Sequence, residues 1–359
     1  MFREAFGFAM VEITESEKRR INIHAHLILP AIFGKAGEAG PEVIWHDDGR
    51  ASLRIGPRFT KLVTVDSLEE EKLIGSRAMT EKILKGASDP HTRLAEMDAK
   101  SIDVLIVSNN AQMYFYNIDA RLAIDFQATA NDTLAEYCTA APDRLFFMAT
   151  LPLQDIEASK IELERAIGLG ARGITVGAHS IGGRELYDEA FWPLYGRMAE
   201  AGLPLFIHPY PFELVGIKPT RFGGPMLEFP YQSSVAATNL ILGGVLDAFP
   251  ALNVCISHGG GFLPYQFGRI EAFAKLNPAA QAKKPLREYL SQLYFDNLIH
   301  AVDARQYLVD WMGASNVIVG DNYAGMDSAD GFAYLDELHL PIDAANAIAG
   351  GNAARIFRI

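Results

Sequence analysis

Four histidines and one aspartate occupy positions from which their side chains could meet at a single metal ion. His24 and His26 stand two residues apart in one apolar run. Alternate side chains of a strand point to the same side, so both imidazoles face one ion. His208 and His258 each end a further apolar run, and Asp321 ends a fourth. Neutral imidazoles suit Zn²⁺, which polarises carboxylates and activates bound water, so the pattern predicts a metal centre.

The elements that must position these residues are eight short apolar runs, which we predict as strands. Each is rich in Val, Ile, Leu or Phe, as strands buried on both faces are. The runs are Ile21–His26, Val104–Asn109, Leu145–Leu151, Gly173–His179, Leu203–His208, Asn253–His258, Leu293–Leu298 and Asn316–Asp321. Helical patterns lie at Asp119–Ala141, Asp155–Leu169, Asp188–Ala201, Ser233–Ala248 and Asp343–Ala349, followed by a short terminal helix. The alternation predicts an α/β fold, a (β/α)8 TIM barrel with its site at the carboxyl ends of the strands.

Two long insertions depart from this repeat, one after strand one (residues 29–99) and one after strand five (Pro209–Gln232). Loops of this length in a compact domain are usually functional lids or small insertions, so residues 29–99 are predicted as an insertion or lid region of a single domain spanning residues 1–359. Aromatic side chains in the insertions either form an apolar pocket wall or pack the loops onto the barrel. These residues are Trp45, Phe59, Phe212, Phe222, Phe229 and Tyr231.

Composition excludes several classes of protein. The 359 residues are 49% hydrophobic and 21% charged, which rules out a disordered chain or a disulfide-stapled scaffold. A net charge of −12 argues against a nucleic-acid partner. No apolar run is long enough to span a membrane, and the amino-terminal residues do not resemble a secretory signal. Cys138 and Cys255 form no metal-binding or redox pair, so we expect free thiols in a reducing cytoplasm.

The glycine run Gly259–Gly261 follows the sixth predicted strand. It lacks the Lys-Ser/Thr pair of a phosphate-binding loop, and no G-x-G-x-x-G follows the first strand. We therefore interpret it as tight backbone at the barrel mouth.

Motifs in a fixed order resemble the amidohydrolase-related superfamily, in the branch of aminocarboxymuconate semialdehyde decarboxylase. They are HAH at 24–26, DP-x-x-R-L-A-E-MD at 89–98, IHP at 207–209, GGVLDAFPALNVCISHGGGFLPYQFGRI at 243–270, YFDN at 294–297 and GGNAARIF at 350–357. The resemblance covers nearly the whole chain, with least support in residues 29–85 and 209–229. It implies a (β/α)8 barrel holding one divalent metal, usually zinc.

The resemblance also implies roles for individual residues. His24, His26 and His208 would be metal ligands, and His258 would be the catalytic histidine beside the metal-bound water. A last ligand, an aspartate, is expected after strand eight in a pattern like G-S/T-D-Y-P.

This chain departs from that pattern, because Asn322 stands where the aspartate is expected and Asp321 comes one residue early. Either the turn is tighter and Asp321 takes the role, or Asn322 faces the metal and brings no charge, or Asp327 compensates. Adjacent strand residues point to opposite sides, so Asp321 and Asn322 should not both face the metal.

Three functions are compatible with these residues. The first is decarboxylation of a small aromatic or unsaturated acid, in which His258 exchanges a proton with the reacting carbon. The second is hydrolysis of a C–C bond, lactone, ester or amide at the same site. The third is a binding protein whose catalysis is impaired by Asn322.

A carboxylate substrate calls for an arginine, whose fork of donors matches a carboxylate. Candidates on the insertions are Arg54, Arg58, Arg77 and Arg221, and His179 at the end of strand four is a further pocket residue. The resemblance also suggests a homodimer.

Overall fold

The computed structural model describes residues 19–45, 47, 51–55, 58–61, 81, 84–179, 181–210, 224–323 and 329–359. Side chains are described for these residues except 51–53, 58–61 and 224–225. Within these ranges the strands, numbered β1 to β11 in chain order, are Ile21–Leu27, Glu42–Trp45, Ala51–Ile55, Arg58–Lys61, Val104–Asn109, Leu145–Ala149, Gly173–Gly177, Leu205–His208, Val254–Ile256, Leu293–Asp296 and Val317–Ile318.

Eight of these strands form the predicted barrel. They pair in the order β1-β5-β6-β7-β8-β9-β10-β11, and every pairing is parallel. The ring closes between its two outer strands, where Ile23 N donates to Val319 O (3.1 Å) and His26 N donates to Tyr323 O (2.8 Å). The (β/α)8 prediction is confirmed, and all carboxyl ends of the strands meet at one mouth.

The predicted strands are in place, although several are shorter than predicted. The third ends at Ala149 instead of Leu151, because the amide of Thr150 donates to the Asn131 side chain rather than to a neighbouring strand. The fifth begins at Leu205, since the amide of Leu203 closes the preceding helix by donating to Met198 O.

The α-helices within the described ranges are Pro90–Ala99, Ala120–Cys138, Ile156–Gly168, Trp192–Ala201, Gly224–Leu242, Val245–Ala248, Leu263–Ala274, Val302–Met312, Gly331–Asp336, Ile342–Asn346 and Asn352–Phe357. Asp89, Asp119 and Asp155 cap the first three, each accepting from backbone amides of the first turn. None of the described helices is long and apolar enough to cross a membrane.

The two insertions are partly described. The first contains the antiparallel sheet β2-β3-β4 and the helix Pro90–Ala99. In the second, the helix begins at Gly224 instead of the predicted Ser233. Proline usually interrupts helices because it lacks the backbone N–H. Here Pro230 lies inside the helix, and its carbonyl accepts from Ser234 Oγ at 2.8 Å.

Two layers of side chains build the barrel. Val317, Val319 and their counterparts on other strands pack with the surrounding helices. Ile318, Phe206 and Cys255 belong to a second cluster inside the barrel. Buried strands of this kind need apolar residues on both faces, which is why the polar residues at their carboxyl ends stand out.

Candidate metal centre

Three histidines from two strands converge at the mouth of the barrel. His24 and His26 lie on β1 and His208 ends β8, and all three are buried. One ligand atom from each lies within 4.8 Å of the others, and Nε2 of His26 is 3.3 Å from Nε2 of His208. The rings stand nearly perpendicular to one another, with centroids 4.8–5.2 Å apart. This is the only such cluster among the described residues.

Hydrogen bonds to the opposite ring atoms orient these imidazoles. Nδ1 of His24 lies 2.7 Å from Asp296 Oδ2, and Nδ1 of His208 lies 2.5 Å from the carbonyl of Pro209. Nδ1 of His26 lies 3.2 Å from Oγ of Ser108, whose hydroxyl donates to a carbonyl. All three acceptors favour the tautomer with the proton on Nδ1, which puts the lone pair of each ring on Nε2.

These features fit a divalent cation. Nε2 of His24 is buried and has no hydrogen-bond partner among the residues that the structure describes. Burial and the neighbouring histidines hold the pKa of His208 well below its usual value, so its ring is neutral, as a metal ligand must be. Three nitrogen lone pairs facing one another are unfavourable without a positive charge between them, and imidazole nitrogens are ligands that Zn²⁺ and similar ions prefer.

His258 lies against this cluster on a strained loop. Its ring centroid is 5.4 Å from His24 and 5.0 Å from His208, and its Nδ1 is 3.0 Å from Ser257 Oγ. Its φ of +56° is in the left-handed region, which is costly for a non-glycine residue and is often found at functional sites. Phe229 covers the site from the second insertion, 6.2–6.4 Å from the His258 and His208 rings.

The glycine run that follows His258 is tight backbone, as predicted. A Cβ on Gly261 would lie 2.0 Å from Pro230 O, and one on Gly260 would lie 2.9 Å from the Phe295 ring. Both glycines have positive φ. The run brings the helix Gly224–Leu242 against the barrel mouth, so larger residues there would displace the loop of His258.

The two candidates after β11 face different surroundings. A Cβ on Gly320 would lie 2.7 Å from Cβ of His24, so that position points toward the site. Asp321 instead accepts from the amide of Tyr323 (3.0 Å) and is attracted to Arg93. Burial raises the pKa of its carboxyl group, and Arg93 opposes that shift. Its oxygens are absent from the cluster of possible ligand atoms.

Asn322 lies between two residues that both interact with Arg93. The Arg93 guanidinium stacks 3.1 Å from the centroid of the Tyr323 ring, and its positive charge also attracts the Asp321 carboxylate. Asn322 is buried and has a φ of +49°, which asparagine tolerates better than most residues. The third candidate, Asp327, lies outside the described residues.

Of the four arginines predicted to bind a carboxylate, only Arg54 has a described side chain. Arg77 and Arg221 lie outside the described residues, and the side chain of Arg58 is not described. Arg54 is directed to the first insertion, where it donates to Glu42 Oε2 (2.7 and 3.0 Å) and to the carbonyl of Glu38.

His179 belongs to an aromatic group that sequence reasoning did not identify. Its ring stacks on Tyr210 with centroids 5.2 Å apart, and Tyr210 meets Tyr114 and Tyr116 at 6.0 and 5.6 Å. Tyr114 and Thr175 share a hydrogen bond of 2.8 Å between their hydroxyl groups. Scattered tyrosines in separate loops carry no periodic signal, so only the folded barrel brings them together.

His179 provides a pH prediction. Burial lowers its pKa to about 4, whereas the unfolded chain titrates near the usual value of about 6.5. As pH falls from about 6.5 to about 4, the unfolded state takes up a proton that the folded ring resists. Stability is therefore lost in this window, by about 2 kcal/mol for this histidine after allowance for solvent screening. Urea unfolding of metal-free protein at pH 7.0 and 4.5 should show a smaller loss for His179→Gln than for wild type.

The exposed His339 supplies the control for this experiment. A His339→Gln variant should lose as much stability as wild type between the two pH values. An equal loss in wild type and His179→Gln would contradict the assignment.

Comparison with known proteins gives related chains of similar architecture. A family model described as amidohydrolase matches residues 21–359. The 2-amino-3-carboxymuconate-6-semialdehyde decarboxylase of Dictyostelium discoideum is 32% identical over 241 residues, which are 66% of this chain and 66% of that protein. The 2-keto-4-carboxy-3-hexenedioate hydratase of a Sphingobium species is 25% identical over 279 residues, or 72% of this chain and 79% of that protein.

Among solved structures, an Asp-to-Asn variant of 5-carboxyvanillate decarboxylase from Novosphingobium aromaticivorans matches with a TM-score of 0.76 and 25% identity. The match covers 96% of this chain and 98% of that one, and the structure contains manganese and 3-methoxy-4-hydroxy-5-nitrobenzoic acid. This agreement extends over the whole barrel.

Proposed function

Because this chain belongs to the amidohydrolase family, whose model spans residues 21–359, we propose that it is a metal-dependent, non-oxidative decarboxylase of a small aromatic or unsaturated carboxylic acid. The convergence of His24, His26 and His208 supports the metal site. The buried Nε2 of His24, which has no hydrogen-bond partner among the described residues, supports it further. Two relatives that are named as decarboxylases of such acids support the reaction.

One divalent ion would be held by His24, His26 and His208. When bound, it supplies positive charge that attracts a carboxylate and stabilises negative charge as it develops. Zn²⁺ is our prediction for its identity because three imidazoles suit it, and Mn²⁺ is the alternative because manganese occupies the decarboxylase of N. aromaticivorans. Binding of both ions should therefore be measured.

His258 would transfer the proton to the reacting carbon. Its Nδ1 is engaged by Ser257, so Nε2 is the atom that carries or receives the proton. In decarboxylation, the bond between the reacting carbon and the carboxylate breaks, its electron pair stays on that carbon, and His258 Nε2 supplies the proton that replaces CO₂. Phe229 and the Tyr210–His179 pair would shield that carbon from water, and Arg58, Arg77 and Arg221 remain candidates for holding a carboxylate.

The test is a mass balance on carboxyl-¹³C-labelled ortho-hydroxybenzoates, 5-carboxyvanillate and carboxymuconate semialdehydes. Metal-loaded protein should release one ¹³CO₂ per substrate consumed, and chelated protein should release none. A product heavier by one water, with no ¹³CO₂, would favour hydration or hydrolysis. That second function has a specific basis, because one relative is a hydratase of a carboxylated hexenedioate.

We infer that Asn322, rather than Asp321, faces the metal. The residues on both sides of it, Asp321 and Tyr323, interact with Arg93, and Asp321 is absent from the cluster of possible ligand atoms. Asn322→Asp would add a negative charge beside the ion, so metal affinity should rise by at least about tenfold, or ~1.4 kcal/mol. Titration of metal-free protein with Zn²⁺ and Mn²⁺ measures this.

Asp321→Asn is the matched control, because it makes the reverse exchange, of a carboxylate for an amide, at the preceding residue. It should leave metal affinity unchanged and lower stability, because Arg93 loses a buried negative neighbour. If Asp321→Asn weakens metal binding and Asn322→Asp does not strengthen it, Asp321 is the ligand. If wild type binds no metal and the Asn322→Asp variant does, the result would support the impaired binding protein instead of the decarboxylase.

The homodimer remains a proposal, and exposed apolar side chains support it. The helices Gly224–Leu242 and Leu263–Ala274 pack together, and apolar residues on and beside them are solvent-exposed. They include Met226, Leu227, Tyr265, Phe273 and Leu276. Such patches are typical of protein interfaces.

Replacing Tyr265 and Leu276 together by aspartate should weaken self-association by at least about tenfold, because charges would then be buried at the interface. Sedimentation velocity over a range of concentrations measures this. Ile161→Asp, at an equally exposed apolar residue on another helix, is the control and should not change association. Unchanged association of the double variant would exclude this face.

A reducing compartment such as the cytoplasm is also proposed. Cys138 and Cys255 are both buried free thiols, and burial raises the pKa of Cys138 to about 12. Inert thiols of this kind behave as small apolar core residues.

A further inference from the structure

Strand β10 carries no metal ligand, yet its last residue contacts both halves of the site. Asp296 is fully buried, and its Oδ2 lies 2.7 Å from Nδ1 of the ligand His24. Its Oδ1 accepts from the amide of Gly259 at 2.9 Å and from the amide of Leu298 at 3.3 Å. Gly259 directly follows His258. One carboxylate therefore joins the metal-ligand strand to the loop of the proposed proton-transfer residue.

The next residue makes the corresponding connection on the other side of β10. Asn297 accepts from the amide of Gly320 at 3.1 Å and donates to the carbonyl of Gly331 at 2.6 Å. Gly320 precedes the segment of Asp321 and Asn322. Asp296 and Asn297 thus hold the loops on both sides of β10 in register with the histidines.

We propose that Asp296 is a positioning residue that orients His24 for metal binding and holds the His258 loop in place. Every group facing its oxygens in these contacts donates a hydrogen, which is what an acceptor-only carboxylate requires. The proton it fixes on Nδ1 of His24 puts the lone pair on Nε2. It also provides a negative charge that is hydrogen-bonded to the ligand His24, whereas Asn322 brings no charge. Carboxylates in this relation to a metal-bound histidine raise the basicity of the ligand.

This inference rests on the proposed metal site, and the test separates the two. Metal-free wild type, Asp296→Asn and Asp296→Ala would be titrated with Zn²⁺ and with Mn²⁺. If wild type binds neither ion, the metal site itself is wrong. If wild type binds, both variants should bind about 10–100-fold more weakly.

A spectroscopic readout distinguishes positioning from general loss of structure. In the long-range ¹H–¹⁵N spectrum of metal-free wild type, His24 should show a protonated Nδ1 and an unprotonated Nε2. In Asp296→Ala, His24 should lose this preference and become a mixture of tautomers, while His208 should keep its own because Pro209 still accepts its proton.

A buried carboxylate far from the site provides the control. Glu162 is buried and pairs with Arg165 on the helix Ile156–Gly168. Glu162→Gln should lower stability but leave metal affinity and the His24 tautomer unchanged.

Asp296 variants that bind metal as tightly as wild type and keep the His24 tautomer would overturn the proposal, provided that urea unfolding shows them folded. If both Asp296 variants fail to fold, the spectrum of metal-free wild type still decides: a His24 ring protonated on Nε2 instead of Nδ1 would contradict the assignment.

Discussion

Replacing His258 by alanine is expected to lower turnover by about 10²–10⁴-fold while the metal stays bound, because general acid–base catalysis contributes an effect of this size. The imidazole lies beside His24 and His208 without belonging to the cluster of possible ligand atoms. Its left-handed backbone would be strained for alanine too, so the loop geometry should be checked by unfolding. The rate of ¹³CO₂ release measures the loss of turnover, and the metal content of the same sample shows whether the metal stays bound.

His300, an exposed histidine that contacts Tyr334, is the matched control. His300→Ala should keep both turnover and metal. Turnover of His258→Ala within a few-fold of wild type would remove His258 from the mechanism, and loss of its metal would reassign it as a ligand.

Removing His24 and His26 together is expected to abolish metal binding. His208 would be the only histidine of the cluster left, and a single imidazole holds a divalent ion weakly. Alanine at two buried sites also leaves cavities that destabilise the barrel by several kcal/mol. We would therefore make the His24→Gln and His26→Gln pair as well, because glutamine fills more of the space.

Elemental mass spectrometry of the folded double variants, after dialysis against excess Zn²⁺ or Mn²⁺, gives the result. Metal should fall from about one per chain to a small fraction, together with ¹³CO₂ release. A double variant that retains one metal per chain would show that other residues form the site.

Sequence reasoning predicted that His24, His26 and His208 come together, and the structure shows this cluster, because barrel geometry makes such convergence predictable. Alternation along β1 puts His24 and His26 on one side, and parallel strands bring His208 to the same mouth. It could not settle the choice between Asp321 and Asn322. Our inference for Asn322 rests on Arg93, which lies in a distant part of the chain and attracts the Asp321 carboxylate.

Asp296 was overlooked for a different reason. It ends a predicted strand within the YFDN motif, so its position was visible in the sequence. A carboxylate that acts through a ligand, without being one itself, stands at no fixed sequence spacing from the histidines. Only the closed barrel shows the contact of Asp296 with His24. The wall formed by Tyr114, Tyr116 and Tyr210 was hidden for the same reason.

Metal stoichiometry and affinity of the wild-type protein test the central claim most directly. The purified protein would be stripped of metal, titrated with Zn²⁺ and Mn²⁺, and counted by elemental mass spectrometry. The account predicts one tightly bound ion per chain and ¹³CO₂ release that appears only when it is restored. A protein that binds neither ion, or that releases ¹³CO₂ equally well without one, would contradict it.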